Sequence, residues 1–306
     1  MPELPDIALY LDAIGRRVIG RKLERVRLFT PFLLRSFDPP LSAVSDKRVL
    51  ELRRLGKRIV FALDDDLFLV VHLMVAGRFR WEEPQNPRAK PGGRIALAAF
   101  DFEHGTLGLT EASKKKRASL HVVRGETELA THDPGGVDPL HTDLASFSAA
   151  LTAENHTVKR TLTHPRLFSG IGNAYSDEIL HRARLSPLKW TTRLTGEEIE
   201  RLFAATREVL VEWTERLKAQ TGDDFPGAGK VTAFRPEMAV HGRYKLPCPV
   251  CGSTVQRIVH AENESNYCAR CQTGGKVLAD RSLSQLLKND WPRTLEDWEA
   301  LRSPKG

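Results

Sequence analysis

The chain has 306 residues, 41% hydrophobic and 28% charged, and its Lys and Arg outnumber Asp and Glu by 46 to 39, giving a sequence pI near 9.3. No apolar run is long enough to span a bilayer and no basic stretch leads into an apolar one at the start, which sets aside membrane-spanning and secreted classes and makes a cytoplasmic location the expectation. The length suits about two domains, and the basic balance favours a polyanionic partner.

The chain opens Met1-Pro2-Glu3-Leu4-Pro5-Asp6. Removing Met1 would expose a proline whose secondary amine lies beside a carboxylate. An α-amine titrates about two units or more below a lysine, so part of it is an uncharged nucleophile near neutral pH. Attack on a sugar or carbonyl carbon would give a Schiff base, with Glu3 moving the proton. The alternative is that Pro2 and Pro5 only stiffen a helix start, with Pro5 at the first helical position. From the hexapeptide alone the helix-start reading is the favoured one.

From Pro5 to Gly20 the spacing of Ile7, Leu11, Ile14 and Val18 predicts one helix. Strand character follows in Leu23–Phe29, Val49–Arg53, Ile59–Leu63, Leu67–Leu73, Ile95–Phe102, Leu107–Thr110 and Leu120–Val123, separated by turns such as Asp64-Asp65-Asp66 and His104-Gly105. Seven such strands predict a β-sandwich or flattened barrel. Asp133 to Pro139 reads as a linker, and Thr142 to Lys218 as helical, on Leu144, Phe147 and Leu151 and then Ile199, Leu202, Phe203, Val209 and Leu210. Within it, Gly170-Ile171-Gly172-Asn173 lies between apolar segments. Its glycines would let backbone amides approach a phosphate, or would simply make a tight helix connection.

All four cysteines fall in Cys248-Pro-Val-Cys251 and Cys268-Ala-Arg-Cys271, with sixteen residues between the pairs. Two such knuckles predict one tetrahedral zinc held by a hairpin ribbon; a disulfide pair or a redox motif is the alternative. Four thiolates leave no open coordination position, so the metal would be structural. Beyond the ribbon, Ser282–Lys288 predicts a short helix and Thr294-Leu-Glu-Asp297 opens a second, with Trp291 and Trp298 as packing anchors onto the ribbon.

Taken together, Pro-Glu-Leu-Pro at the start, Gly56-Lys57 before a strand, His72-Leu73 ending another, Gly170 to Glu178, and the four-cysteine ribbon after Gly242-Arg243 resemble the formamidopyrimidine-DNA glycosylase and endonuclease VIII family. The resemblance spans most of the chain. It implies an α+β multidomain fold: an N-terminal β-sandwich with an N-terminal helix (1–130), a linker (131–141), a helix-two-turn-helix domain (142–240), a zinc ribbon (241–280) and a helical tail (281–306), clamping damaged DNA between two halves.

Residue by residue, the resemblance implies Pro2 as the nucleophile on C1′ of a damaged nucleoside and Glu3 as the proton carrier at the sugar oxygen. Lys57 would support the transition state at the sugar-phosphate. Asn173 and Lys159 would hold backbone phosphates or the lesion region, and the target nucleotide would be flipped from the stack. Zinc is the one cofactor implied, no nucleotide cofactor or membrane partner is expected, and the chain is expected to act as a monomer.

Three departures stand out. Asp6 takes the place of a usual glutamate, which would bear on the later elimination steps. Lys114, Lys115, Lys116 and Arg117 occupy the loop where an Arg-Arg-Phe wedge is usual, and would contact phosphates or form a solvated face. The apolar filler would then fall to Met74 or Val75 at a hairpin tip. Asn263 stands where a ribbon arginine is usual, with Arg257, Arg270 or Lys276 as the candidate replacements, and Asp223–Val231 resembles a segment that covers the everted base. The implied activity is bifunctional base excision with strand cleavage. A lyase restricted to abasic sites, single strands or unusual adducts, and a DNA-binding protein without catalysis, are the other readings.

Overall fold

In the computed structural model, residues 1–83, 93–227, 229–260, 263–278 and 294–297 are described. They form two compact units, residues 1–136 with 212–232, and 137–211 with 233–306.

The first unit begins with helix α1 (Leu4–Val18), whose Leu4, Ile7, Tyr10, Ile14 and Val18 are all buried. Eight strands follow: β1 (Lys22–Leu28), β2 (Lys47–Leu55), β3 (Arg58–Leu63), β4 (Leu67–His72), β5 (Gly77–Glu82), β6 (Ala96–Phe102), β7 (Gly105–Glu111) and β8 (Ser119–Arg124). They are antiparallel in the order β5-β7-β6-β1-β2-β3-β4-β8. The junction between β1 and β2 is short, only Lys22↔Arg48 and Leu23↔Lys47, so the sheet folds there into two layers of a β-sandwich. Between the layers Phe61 of β3 stacks on Phe100 of β6 at 5.8 Å, Phe79 of β5 meets both, and Tyr10 meets Phe79 edge-on at 5.6 Å. Each fully buried aromatic of this kind contributes about 2–3 kcal/mol.

The β2-β3-β4-β8 layer is buried on its outer face as well. Val60, Ala62, Phe68, Val70 and Val123 lie there under Leu129 of a short helix, α2 (Glu126–Ala130). Double burial explains why Ile59–Leu63 and Leu67–Val71 are continuous apolar runs rather than alternating ones.

The sequence reading missed β5 and α2. In β5 the apolar Phe79 and Trp81 alternate with Arg78, Arg80 and Glu82, and three charges in six residues hid the pattern. α2 has a single buried residue and little periodicity to show. Helix α1 ends at Val18, two residues before Gly20.

The second unit holds α3 (Leu144–Thr152), α4 (Val158–Thr163), α5 (Asn173–Arg182) and most of α6 (Gly196–Thr221). Asp143 caps α3 by accepting the Ser146 N–H at 2.7 Å. Rings of Phe147, Phe168 and Phe203 meet at 4.9 and 5.2 Å in its core. The ribbon is the antiparallel pair β9 (Val255–His260) and β10 (Asn263–Cys268). Thr294 and Asp297 exchange backbone-to-side-chain hydrogen bonds at 3.1 Å, and Leu295 is buried against Ile258, Tyr267 and Ala269. The tail anchor on the ribbon is therefore Leu295; the helix expected at Ser282–Lys288 and both Trp291 and Trp298 lie outside the described residues. Among the described residues no helix is long and apolar enough to cross a membrane.

Candidate active site

Glu3 is the N-cap of α1 and is 3% exposed. Its backbone N–H donates to Asp6 Oδ2 at 2.9 Å, while the Glu3 carboxylate accepts the backbone N–H of Asp6, a reciprocal capping box. Pro2 is buried immediately before it. The start of the chain is thus held at both ends of one helical turn, and Asp6 is placed as a backbone anchor for Glu3.

The chain's amine, on Met1, is held below the usual α-amine range, chiefly by burial; Glu3 and Asp6 oppose the shift, and the Arg78 and Lys57 cations add to it. Lys57 follows Gly56, whose φ of +61° makes the β2–β3 turn. Burial lowers the Lys57 ammonium too, against the pull of Glu3. Pro2, Glu3, Asp6 and Lys57 therefore share one electrostatic neighbourhood inside the first unit, and Arg78 belongs to it. Nothing in the sequence singled out Arg78, because its position depends on how the β4–β5 tip folds back.

That tip is tightly built. His72 Nδ1 accepts the Met74 N–H at 2.9 Å, and the Gly77 N–H donates to the Leu73 carbonyl at 2.8 Å. A Cβ at Gly77 would lie 2.2 Å from that carbonyl, so only glycine fits. Burial and the nearby Arg58 and Lys57 push His72 down to about 4, which keeps its ring a neutral acceptor. Arg78 Nη1 donates to the carbonyls of Val75 at 3.1 Å and Gly77 at 2.7 Å. The tip so fixed leaves Val75 59% exposed, with Met74 half-buried at a φ of +51°.

The cationic loop after β7 is exposed at Lys114, Lys115, Lys116 and Arg117. Its base is closed by Glu111, a buried residue that the sequence reading passed over: its carboxylate accepts the Arg117 N–H at 2.9 Å and the Ala118 N–H at 3.1 Å. Lys116 bends back to the Glu111 carbonyl. The segment beginning at Asp223 is fastened to α1, with Arg16 on Asp223 at 2.6 Å, Arg17 on its carbonyl at 3.0 Å, and Phe225 6.1 Å from Tyr10.

In the second unit, one face of α5 faces the ribbon. Asn173 Nδ2 donates to the Glu264 carbonyl at 2.9 Å. Asp177, fully buried, accepts from the Asn266 N–H at 3.1 Å and pairs with His241 Nδ1 at 2.8 Å and with the ammonium of Lys159. Glu178 takes the N–H groups of Ala239, Val240 and His241 at 2.7 to 2.9 Å. A phosphate contact by Lys159 does not suit this placement: the residue is 9% exposed and its charge is already neutralised by a buried carboxylate. Asn173 is drawn to the ribbon by one of its two amide hydrogens. Of the three cations considered in place of Asn263, Arg257 is tied to Glu264 at 3.3 Å and lies 4.3 Å over Tyr244, while Arg270 and Lys276 are exposed.

The four cysteine sulfurs lie within 4.8 Å of one another, with Cys251–Cys268 at 3.4 Å and Cys248–Cys271 at 3.9 Å. Disulfide sulfurs would be about 2 Å apart, whereas a tetrahedron of 2.3 Å Zn–S bonds puts sulfurs about 3.8 Å apart, so the geometry fits zinc. Burial drives the thiols of Cys268 and Cys271 up, the latter to about 11, whereas at Cys251 burial is outweighed by hydrogen bonds from Ser253 and the neighbouring cysteines, which bring the thiol down to about 6, so a divalent cation is what would hold Cys268 and Cys271 as thiolates. His181 Nε2 lies 3.3 Å from Cys248 Sγ. One structural zinc is held by Cys248, Cys251, Cys268 and Cys271.

Family profiles match the chain in three segments: the formamidopyrimidine-DNA glycosylase N-terminal domain over residues 1–133, the formamidopyrimidine-DNA glycosylase H2TH domain over 136–223, and the zinc finger found in FPG and IleRS over 245–274. A formamidopyrimidine-DNA glycosylase of Thermus thermophilus is 35% identical over 285 residues, spanning 90% of this chain and 100% of its own length. One from Heliobacterium modesticaldum is 31% identical over 278 residues, 89% of this chain and 100% of its own. Among solved structures, a Lactococcus lactis Fpg in complex with an abasic-site-containing DNA shares the fold, with a TM-score of 0.77 at 24% identity over 89% of this chain and 99% of that one. The chain belongs to the formamidopyrimidine-DNA glycosylase family and to its enzyme class, DNA N-glycosylase with AP lyase activity.

Proposed function

We propose that the chain repairs DNA by excising damaged, chiefly oxidised, bases and cutting the strand through one covalent intermediate on its N-terminal proline. The observation that carries this reading is the gathering of the chain's amine, Glu3 and Lys57 in one buried neighbourhood whose cations and burial favour the free amine. With Met1 removed, the Pro2 lone pair attacks C1′. The glycosidic bond breaks with its electron pair leaving on the base, and the proton that the Pro2 nitrogen releases after attack passes to the base. Glu3 delivers a proton to the ring oxygen as the C1′–O bond opens, leaving an iminium between Pro2 and C1′. Loss of a C2′ proton then lets the 3′ C–O bond break with its electrons leaving on the phosphate. Lys57 supplies positive charge near the departing oxyanion. Zinc, when bound, holds the ribbon and takes no part in these steps.

Damaged DNA is the proposed partner, with the exposed Lys114, Lys115 and Arg117 reaching phosphates and Val75 filling stacked space at the tip. Borohydride reduction with an abasic-site duplex should give a covalent adduct whose DNA remnant maps to the Pro2 nitrogen in the peptide mass spectrum; no adduct from wild-type protein with a processed N-terminus defeats the proposal. A second reading rests on the loop at 112–117, which carries no aromatic residue. Cleavage of abasic duplex without release of 8-oxoguanine, formamidopyrimidine or oxidised pyrimidine would select that lyase-only reading.

A further inference from the structure

On the outer face of the β2-β3-β4-β8 layer, the apolar cluster under α2 gives way at one end to polar residues that the reaction above does not employ. Arg58 precedes Val60 on that face and is paired across the ladder with His72. His121 stands opposite Val70 in β8, and the chain leaving α2 brings His132 back over it, ring centroids 4.7 Å apart at 60°. Among the described residues the Arg58 guanidinium makes no hydrogen bond or ion pair, and neither imidazole of the stacked pair makes a hydrogen bond. All three side chains are half-buried.

Cations outnumber acids at this place. Arg35 and Arg58 bear on His121, and Arg58 bears on His132 and on His72, which Lys57 also reaches. The opposing groups are Glu128, whose carboxylate takes the Arg124 N–H at 3.1 Å, and Asp133, whose Oδ1 takes the Gly135 N–H at 2.9 Å. With no hydrogen bond among the described residues, the Arg58 guanidinium offers a planar fork of donors that matches an oxyanion. We propose that Arg58, His121 and His132 form a binding site for a phosphate-type oxyanion. Arg58 gives the bidentate contact, and the two imidazoles close the site as donors. Burial and the surrounding cations hold both histidines below their usual range, so a bound anion should bring protons with it.

The oxyanion can come from the DNA backbone, a source that rests on the function proposed above, or from free phosphate. Full-length protein with ¹⁵N-labelled histidine, titrated with inorganic phosphate against chloride at equal ionic strength, should show His121 and His132 titrating higher by about 0.5 to 1 unit with phosphate, a shift absent in R58Q. H121Q and H132Q assign the two signals, and the wild-type arm needs no variant to fold. In parallel, R58Q should reduce the slope of log K against log salt for an abasic duplex by about 0.9 if a backbone phosphate occupies the site. An unchanged slope with the histidine shift intact assigns the site to a free phosphate. No response of either histidine to phosphate or to duplex overturns the proposal. Borohydride trapping on the same samples separates the two ideas: wild-type protein that responds to phosphate but does not trap defeats the catalytic reading and leaves this site standing.

Discussion

Asp6 uses its carboxylate on the backbone of Glu3, so its first effect is on the aim of its neighbour. Asp6→Ala should cost about 1 kcal/mol of stability in a denaturant titration and slow trapping, whereas Asp6→Asn, which keeps an oxygen for the Glu3 N–H, should stay close to wild type in both. If Asp6→Asn traps as poorly as Asp6→Ala, the carboxylate does more than cap. The amine next to it carries a pH signature. Burial, Arg78 and Lys57 hold the Met1 amine below its usual range, and Pro2 is buried beside it, so trapping through the Pro2 amine should rise with pH through an inflection below that of an ordinary α-amine. Replacing Arg78 by Gln removes a cation, stabilises the protonated amine and should move that inflection upward; a profile that stays put would place Arg78 at the tip alone. Pro2, Glu3 and Lys57 were legible because short motifs carry them. Arg78 was not, because only folding of the Leu73–Gly77 tip turns one arginine among 46 basic residues toward the amine.

At the scale of elements, α5 and the ribbon form the best-defined joint. Asn173, Asp177 and His181 recur at intervals of four, on one helix face, and each meets the segment from His241 to Asn266. A ring N–H from His181 to the Cys248 sulfur would offset thiolate charge, so His181→Phe should speed zinc transfer to a chromogenic chelator, with affinity lower by about 10- to 100-fold. Release at the wild-type rate would mean that the 3.3 Å approach is packing only. The metal ligands could be read from their spacing, but their supporting partner lies 67 residues away in sequence. The loop after β7 makes a simpler statement. Replacing Lys114, Lys115 and Arg117 with Ala should lower the salt slope of duplex binding by about 0.9 for each DNA phosphate that is no longer neutralised, and an unchanged slope would show a solvated face.

For the molecule as a whole, acid is the expected weakness. His72 titrates near 4 in the folded chain and near 6.5 when unfolded, so between those values the unfolded state binds the extra proton. Stability should fall as pH drops through that window, by up to about 3 kcal/mol, and His72→Gln should flatten the loss in melts between pH 7 and 4. A wild-type stability curve flat over that range would contradict the assignment. At this scale the sandwich was visible in its alternating and continuous apolar runs. The strand that was overlooked carried alternate charges, and the helix that was overlooked buries only Leu129.

The buried carboxylates of α5 also bear on how freely this protein can be taken apart. Asp177 and Glu178 find their donors at Ala239, Val240, His241 and Asn266, within and just before the ribbon. Ending the chain near residue 238 would strand two acidic groups inside the helical domain with only Lys159 for compensation, at a cost of several kcal/mol. The finger is thus not an interchangeable module: a foreign ribbon grafted here would have to reproduce those donors before it could reproduce the metal.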